Sequence, residues 1–131
     1  MQPEPGSPEA WLTYARSDLA LAKTPPGGEV LKDSLCFHAQ QAVEKSIKAV
    51  LVQLGIAFPK VHSIERLIDL LPASVARTSE LIASAQMTAF ATTFRYPGVQ
   101  EPVSDEQHVE ALRLAEAVVA WAEQHVRSGG R

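Results

Sequence analysis

Apolar residues recur by threes and fours in every long stretch of this chain that Pro or Gly leaves uninterrupted, and no useful length alternates polar with apolar. That periodicity builds α-helices and leaves nothing from which to make a sheet. Ser7 followed by Pro8 is a helix start, because the Ser oxygen can accept from free backbone N–H groups and a first-turn proline gives up no internal bond. The first helix is expected from about Pro8 to Lys23 through Trp11, Leu12, Ala15, Leu19 and Ala22, and TPPGG at 24–28 stops it. A second runs from about Glu29 to Leu54 with Gly55 as its C-terminal cap. After the connector IAFPKVH, Ser63 caps a short helix from about Ile64 to Leu71, which ends before Pro72. A fourth runs from Ser74 or Thr78 to Thr92, and the loop TTFRYPGVQEPV follows, with its Pro-Gly turn pair. In SDEQ at 104–107, Ser104 and Gln107 match a capping box, opening a last helix that continues to about Val126 through Val109, Leu112, Ala115, Val119 and Ala122. The tail RSGGR is expected to fray.

Helices with one apolar stripe each bury those stripes best against one another. The expected fold is an all-α, up-and-down antiparallel four-helix bundle with one additional short helix. It forms a single domain over residues 1–131 with an ordered core of about 8–126. A chain of 131 residues can bury roughly two thirds of the surface its unfolded form exposes, so it needs no covalent staple. The lone Cys36 cannot form an internal disulfide and is expected to pack as a small apolar residue. One Cys and four scattered His residues suggest no metal site. The start MQPEPGSPEAW lacks the basic opening and apolar run of a signal peptide, and no apolar stretch approaches the roughly 18 residues of a membrane span. A soluble, cytoplasmic protein without membrane association is the expectation. Twelve Lys plus Arg against 15 Asp plus Glu give a net charge of −3, so any anion site has to be local.

The second helix carries the most informative chemistry. His38, Gln41, Lys45 and Lys48 fall in one stripe, and Cys36, Ala39, Val43, Ile47, Val50 and Leu54 fall opposite. One reading makes the polar stripe a solvated outer face. The other makes it a donor-rich strip able to hold an anion such as phosphate, although Glu44 is placed to neutralise Lys48 at i+4. Arg95 stands where the fourth helix ends, either as a C-terminal cation favoured by the helix dipole or as a planar fork for phosphate. Tyr96 beside it can stack on a base or simply pack. His62 is expected to make a loop hydrogen bond, and His108 and His125 to be exposed helix residues. No phosphate loop, nucleophile elbow or metalloprotease helix motif is present.

Three segments in order, FHAQQAVEKSIKAVL, VHSIERLIDLL and FRYPG, resemble the HEPN family of small helical-bundle proteins of bacteria and archaea, over about residues 9–125. The resemblance implies a four- to five-helix bundle, often a homodimer, frequently made beside a minimal nucleotidyltransferase and acting with it as a toxin-antitoxin-like pair. It also implies a likeness to the substrate-binding part of aminoglycoside nucleotidyltransferases, with His38, Gln41, Lys45 and Arg95 lining a polar cleft. Many HEPN proteins are metal-independent ribonucleases whose motif is an Arg followed after four to six residues by a His. Here Arg95 is followed at those positions by Gln100, Glu101 and Pro102, and Arg113 by Val118, Val119 and Ala120. The expected function is therefore a non-catalytic nucleotide- or partner-binding subunit with no catalytic residues and no cofactor. Its ligand site comprises His38, Gln41, Lys45, Lys48, Arg95 and Tyr96, and its ligand is a nucleotide or RNA. The alternative is a ribonuclease toxin assembled from a non-standard pair, His38 with Arg95.

Overall fold

A computed structural model describes residues 2–92 and 101–129. Among them the regular elements are all helical: α1 (Pro8–Ala22), α2 (Lys32–Gln53), α3 (Ile64–Asp69), α4 (Ser79–Ala83), a 3-10 segment (Ser84–Thr88), α5 (Ala89–Thr92) and α6 (Asp105–Ser128). The expected all-α bundle is what the chain forms. Helix α2 packs against both α1 and α6, α1 also touches α6, and the shorter elements α3 to α5 close the remaining side. The ion pairs Arg16–Glu123 and Lys23–Glu116 set α6 antiparallel to α1. Lys32 meets Asp105 where α2 and α6 begin, so these two helices start together. No helix among the described residues is long and apolar enough to cross a membrane.

The helix ends follow their local chemistry. Backbone N–H groups of Ala10, Arg66 and Leu81 donate to the side chains of Ser7, Ser63 and Thr78, and Ser104 and Gln107 form the full capping box. Gly55 adopts φ +72°, with Ile56 N donating to Leu51 O and Gly55 N to Val52 O, the paired closure of a Schellman end.

Two boundaries differ from expectation. Helix α2 starts at Lys32 rather than Glu29, because Gly27 and Val30 exchange backbone hydrogen bonds at 3.0 Å in a tight turn that holds Glu29 out of the helix. The fourth helix is not continuous. The Ser84 hydroxyl donates to the Leu81 carbonyl at 2.6 Å, an i to i−3 bond that accompanies the tightening into 3-10 geometry before α5 resumes.

The core gathers Leu12, Ile47, Leu51, Ile64, Leu67, Leu81, Met87 and Leu114, each at most 1% exposed. Cys36 is buried within it. On α6 the expected stripe is corrected at its start: Val109 is 64% exposed and His108 is buried. The buried set Ala111, Leu114, Ala115, Val118, Val119 and Ala122 projects back three residues to 108, not 109. His125 is not fully exposed either; it is half-buried and meets the edge of Trp121 at 5.0 Å.

Candidate functional site

Helix α2 is covered on both of its faces, and this decides what its polar stripe can be. Ala42 and Ala49, flanking the stripe, are fully buried, as is Gln40, and Glu44 and Lys48 are nearly so. A helix enclosed this way cannot leave its ions to solvent, so each needs a partner. The structure sorts those partners into two clusters.

The inner cluster centres on Glu44. Its Oε2 accepts from Lys48 Nζ at 2.7 Å, and its Oε1 faces His62 Nδ1 at 3.0 Å and accepts from Gln40 Nε2 at 3.2 Å. Gln40 also donates to the His62 carbonyl at 3.4 Å and accepts from Gln41 Nε2 at 2.7 Å. Burial alone would raise the Glu44 carboxyl. The hydrogen bonds from Lys48, His62 and Gln40, with the Lys48 charge, outweigh it and hold the group below its ordinary value. Lys48 Nζ lies 5.5 Å from the ring centres of both Trp11 and Phe58, two aromatic faces that offset part of its lost hydration. The expected i, i+4 pairing of Glu44 with Lys48 is present, and the expected loop hydrogen bond of His62 is its contact with Glu44.

The outer cluster joins α1 to α2 through one carboxylate. Asp18, 7% exposed, receives Lys45 Nζ on Oδ2 at 2.6 Å and His38 Nδ1 on Oδ1 at 2.9 Å. An ionised carboxylate only accepts, so His38 carries its proton on Nδ1 and turns Nε2 away as the free acceptor. Next to this cluster lies a groove of about 330 Å³ lined by Thr13, Tyr14, Ser17, Asp18 and Lys45. Tyr14 is 65% exposed at its edge, with Lys45 Nζ 5.9 Å from its ring centre. Lys45 and His38 keep part of their surface in solvent, unlike Glu44 and Lys48.

Of the expected site residues, His38 and Lys45 thus meet on Asp18, Gln41 bonds to Gln40, and Lys48 turns into the inner cluster. Arg95 and Tyr96 lie outside the described residues. Asp18, Gln40 and the inner role of His62 went unread in the sequence. Asp18 had a signal: it follows Ala15 by three and precedes Ala22 by four, a carboxylate in phase with the apolar stripe of α1. Among the described residues no three His, Cys, Asp or Glu side chains group as metal ligands.

An all-helical bundle whose central helix carries an ion-paired polar layer, opening at one edge into a small groove, defines the class. The HEPN domain profile matches residues 8–125, and the chain belongs to the HEPN family. Among solved structures it is similar to TT1696 from Thermus thermophilus, at 28% identity and a TM-score of 0.78, covering 91% of this chain and 98% of that one. It is also similar to ST0689, an archaeal HEPN homologue, at 25% identity and a TM-score of 0.70, covering 92% of this chain and 98% of that one. A comparison with curated proteins gives no match.

Proposed function

We propose that this HEPN protein is a non-catalytic binding subunit of a two-component, toxin-antitoxin-like nucleotidyltransferase system. It works in the cytoplasm as a homodimer, and the groove between α1 and α2 receives a nucleotide. The observation that carries this reading is the single Asp18 carboxylate holding His38 and Lys45 together at the edge of the groove, opposite the exposed ring of Tyr14. A lysine ammonium has three donors and Asp18 engages one, leaving others for a phosphate oxygen. The Tyr14 face offers a stacking surface for a base. Lys48 serves the fold on this reading, and Gln41 flanks the site. Isothermal titration of AMP into wild type, Lys45→Ala and His38→Ala tests it. Each variant is expected to bind about tenfold or more weakly, as for a lost charge-assisted hydrogen bond, with its helical circular dichroism retained at the titration temperature. Equal affinities in all three proteins would refute the groove as the site. Arg95→Ala in the same titration reports whether that residue contributes.

One observation favours the ribonuclease reading as a second. Asp18 fixes the His38 tautomer with Nε2 as an available base, the arrangement by which a histidine can take a proton from a ribose 2′-OH. Metal-free cleavage of single-stranded RNA that disappears in His38→Ala would establish it. Intact RNA at high protein concentration would remove it.

A further inference from the structure

We infer that Asp18 makes the α1/α2 groove selective for a ligand with a single phosphate, a nucleoside monophosphate, over the corresponding di- and triphosphates. This rests on the nucleotide-binding reading above and specifies which nucleotide the groove takes.

The inference comes from the charges. Asp18 and Lys45 sit 2.6 Å apart and cancel, and His38 adds at most one positive charge when protonated. Thr13 has its hydroxyl committed to the Glu9 carbonyl at 2.9 Å, and Ser17 and Tyr14 are neutral. No other cation on these two helices carries an unshared charge: Arg16 is paired with Glu123, Lys32 with Asp105 and Lys48 with Glu44. Lys23, just past α1, is paired with Glu116. One phosphate can take the donors of Lys45 that Asp18 leaves open, joined by an Nε2–H of His38 when that ring is protonated, since the two side chains stand on the two oxygens of one carboxylate. A second and third phosphate would find no unshared cation on α1 or α2, would approach the Asp18 carboxylate, and would give up hydration there for nothing in return. The protein's net charge of −3 adds repulsion at longer range.

The test compares AMP, ADP and ATP by calorimetric titration at low ionic strength with EDTA present, for wild type and Asp18→Asn. Wild type is expected to bind AMP more tightly than ADP or ATP. Asp18→Asn removes the carboxylate charge while keeping the side chain's shape, freeing the charge of Lys45. It is expected to move the AMP-to-ATP affinity ratio toward ATP by about tenfold, somewhat above the effect of one unit charge about 4 Å away in bulk water. Affinity that climbs tenfold with each added phosphate in wild type, or a ratio unchanged in a folded Asp18→Asn protein, would overturn the inference and leave nucleotide binding standing. No binding of any of the three would overturn the nucleotide reading and this inference with it. If Asp18→Asn loses its melting transition, the wild-type ratio decides alone.

Discussion

Removing the carboxylate of Glu44 is the perturbation that should most damage the fold without changing its shape. Glu44→Gln keeps the volume and one acceptor but leaves the Lys48 ammonium, 7% exposed, without its counter-charge. Breaking a buried pair from one side costs about 3–5 kcal/mol, because the surviving charge remains desolvated. Trp11 and Phe58, whose ring centres lie 5.5 Å from Lys48 Nζ, keep part of that stabilisation, so the lower end, about 3 kcal/mol, is expected. With a urea dependence of about 2 kcal/mol per molar, the unfolding midpoint should fall by about 1.5 M. Adding Lys48→Met removes the stranded charge, and the double variant should recover about 1–3 kcal/mol of what the two single changes cost in sum. Acid unfolding gives a second readout. The Glu44 pKa is lowered by folding, so its contribution is complete above the ordinary value of 4.5 and is lost as pH falls through the lower folded value. Glu44→Gln should therefore flatten that part of the acid limb. A cost under about 0.5 kcal/mol, as for an exposed pair, with an unchanged acid limb would refute the assignment of this pair to the core.

Two further changes separate backbone strain from packing. Gly55→Ala places a Cβ where no atom lies within 4 Å, so its whole cost is the left-handed backbone at φ +72°, about 1–2 kcal/mol in chemical denaturation. Leu114→Ala empties a fully buried position of α6 and should cost about 2–5 kcal/mol in the same assay, with the helical circular dichroism retained.

The helix ends were legible because they depend on neighbours in sequence. Ser7, Ser63, Thr78 and the Ser104 box each bind an N–H three residues on, and Gly55 needs only its own dihedral. The interruption at Ser84 was not legible, since a serine that bonds back to Leu81 and one that points to solvent look alike in sequence. The polar stripe of α2 was seen, but its surroundings were not. Period 3.6 says that His38, Gln41, Lys45 and Lys48 share a side; it does not say whether water or another helix lies there. Asp18 of α1 and His62 of the connector supply their answers from 20 residues away or close to it. The mistaken placement of His108 has the same origin, because a histidine on α6 competes with Val109 for one buried position and only packing chooses.

The two carboxylates of the polar layer are both buried, yet their surroundings assign them different work. Glu44 is met by donors from α2 and from the connector before α3, and the aromatic rings of Trp11 and Phe58 close over its lysine. Gln40, Glu44 and Lys48 are each engaged by other side chains, with the His62 ring open to solvent at the rim, which is what a network that fixes helix register requires. Asp18 is met by two donors whose other atoms remain partly in solvent beside a groove. Asp18 itself is buried and needs these partners to stand in the α1–α2 seam, while Lys45 and His38 stay half-open to solvent. The same half-open state is what a ligand needs, because donors already aimed by Asp18 lose little freedom on binding. The inner cluster therefore explains how a HEPN bundle can carry charge through its central helix, and the outer one leaves part of that charge facing solvent beside the groove.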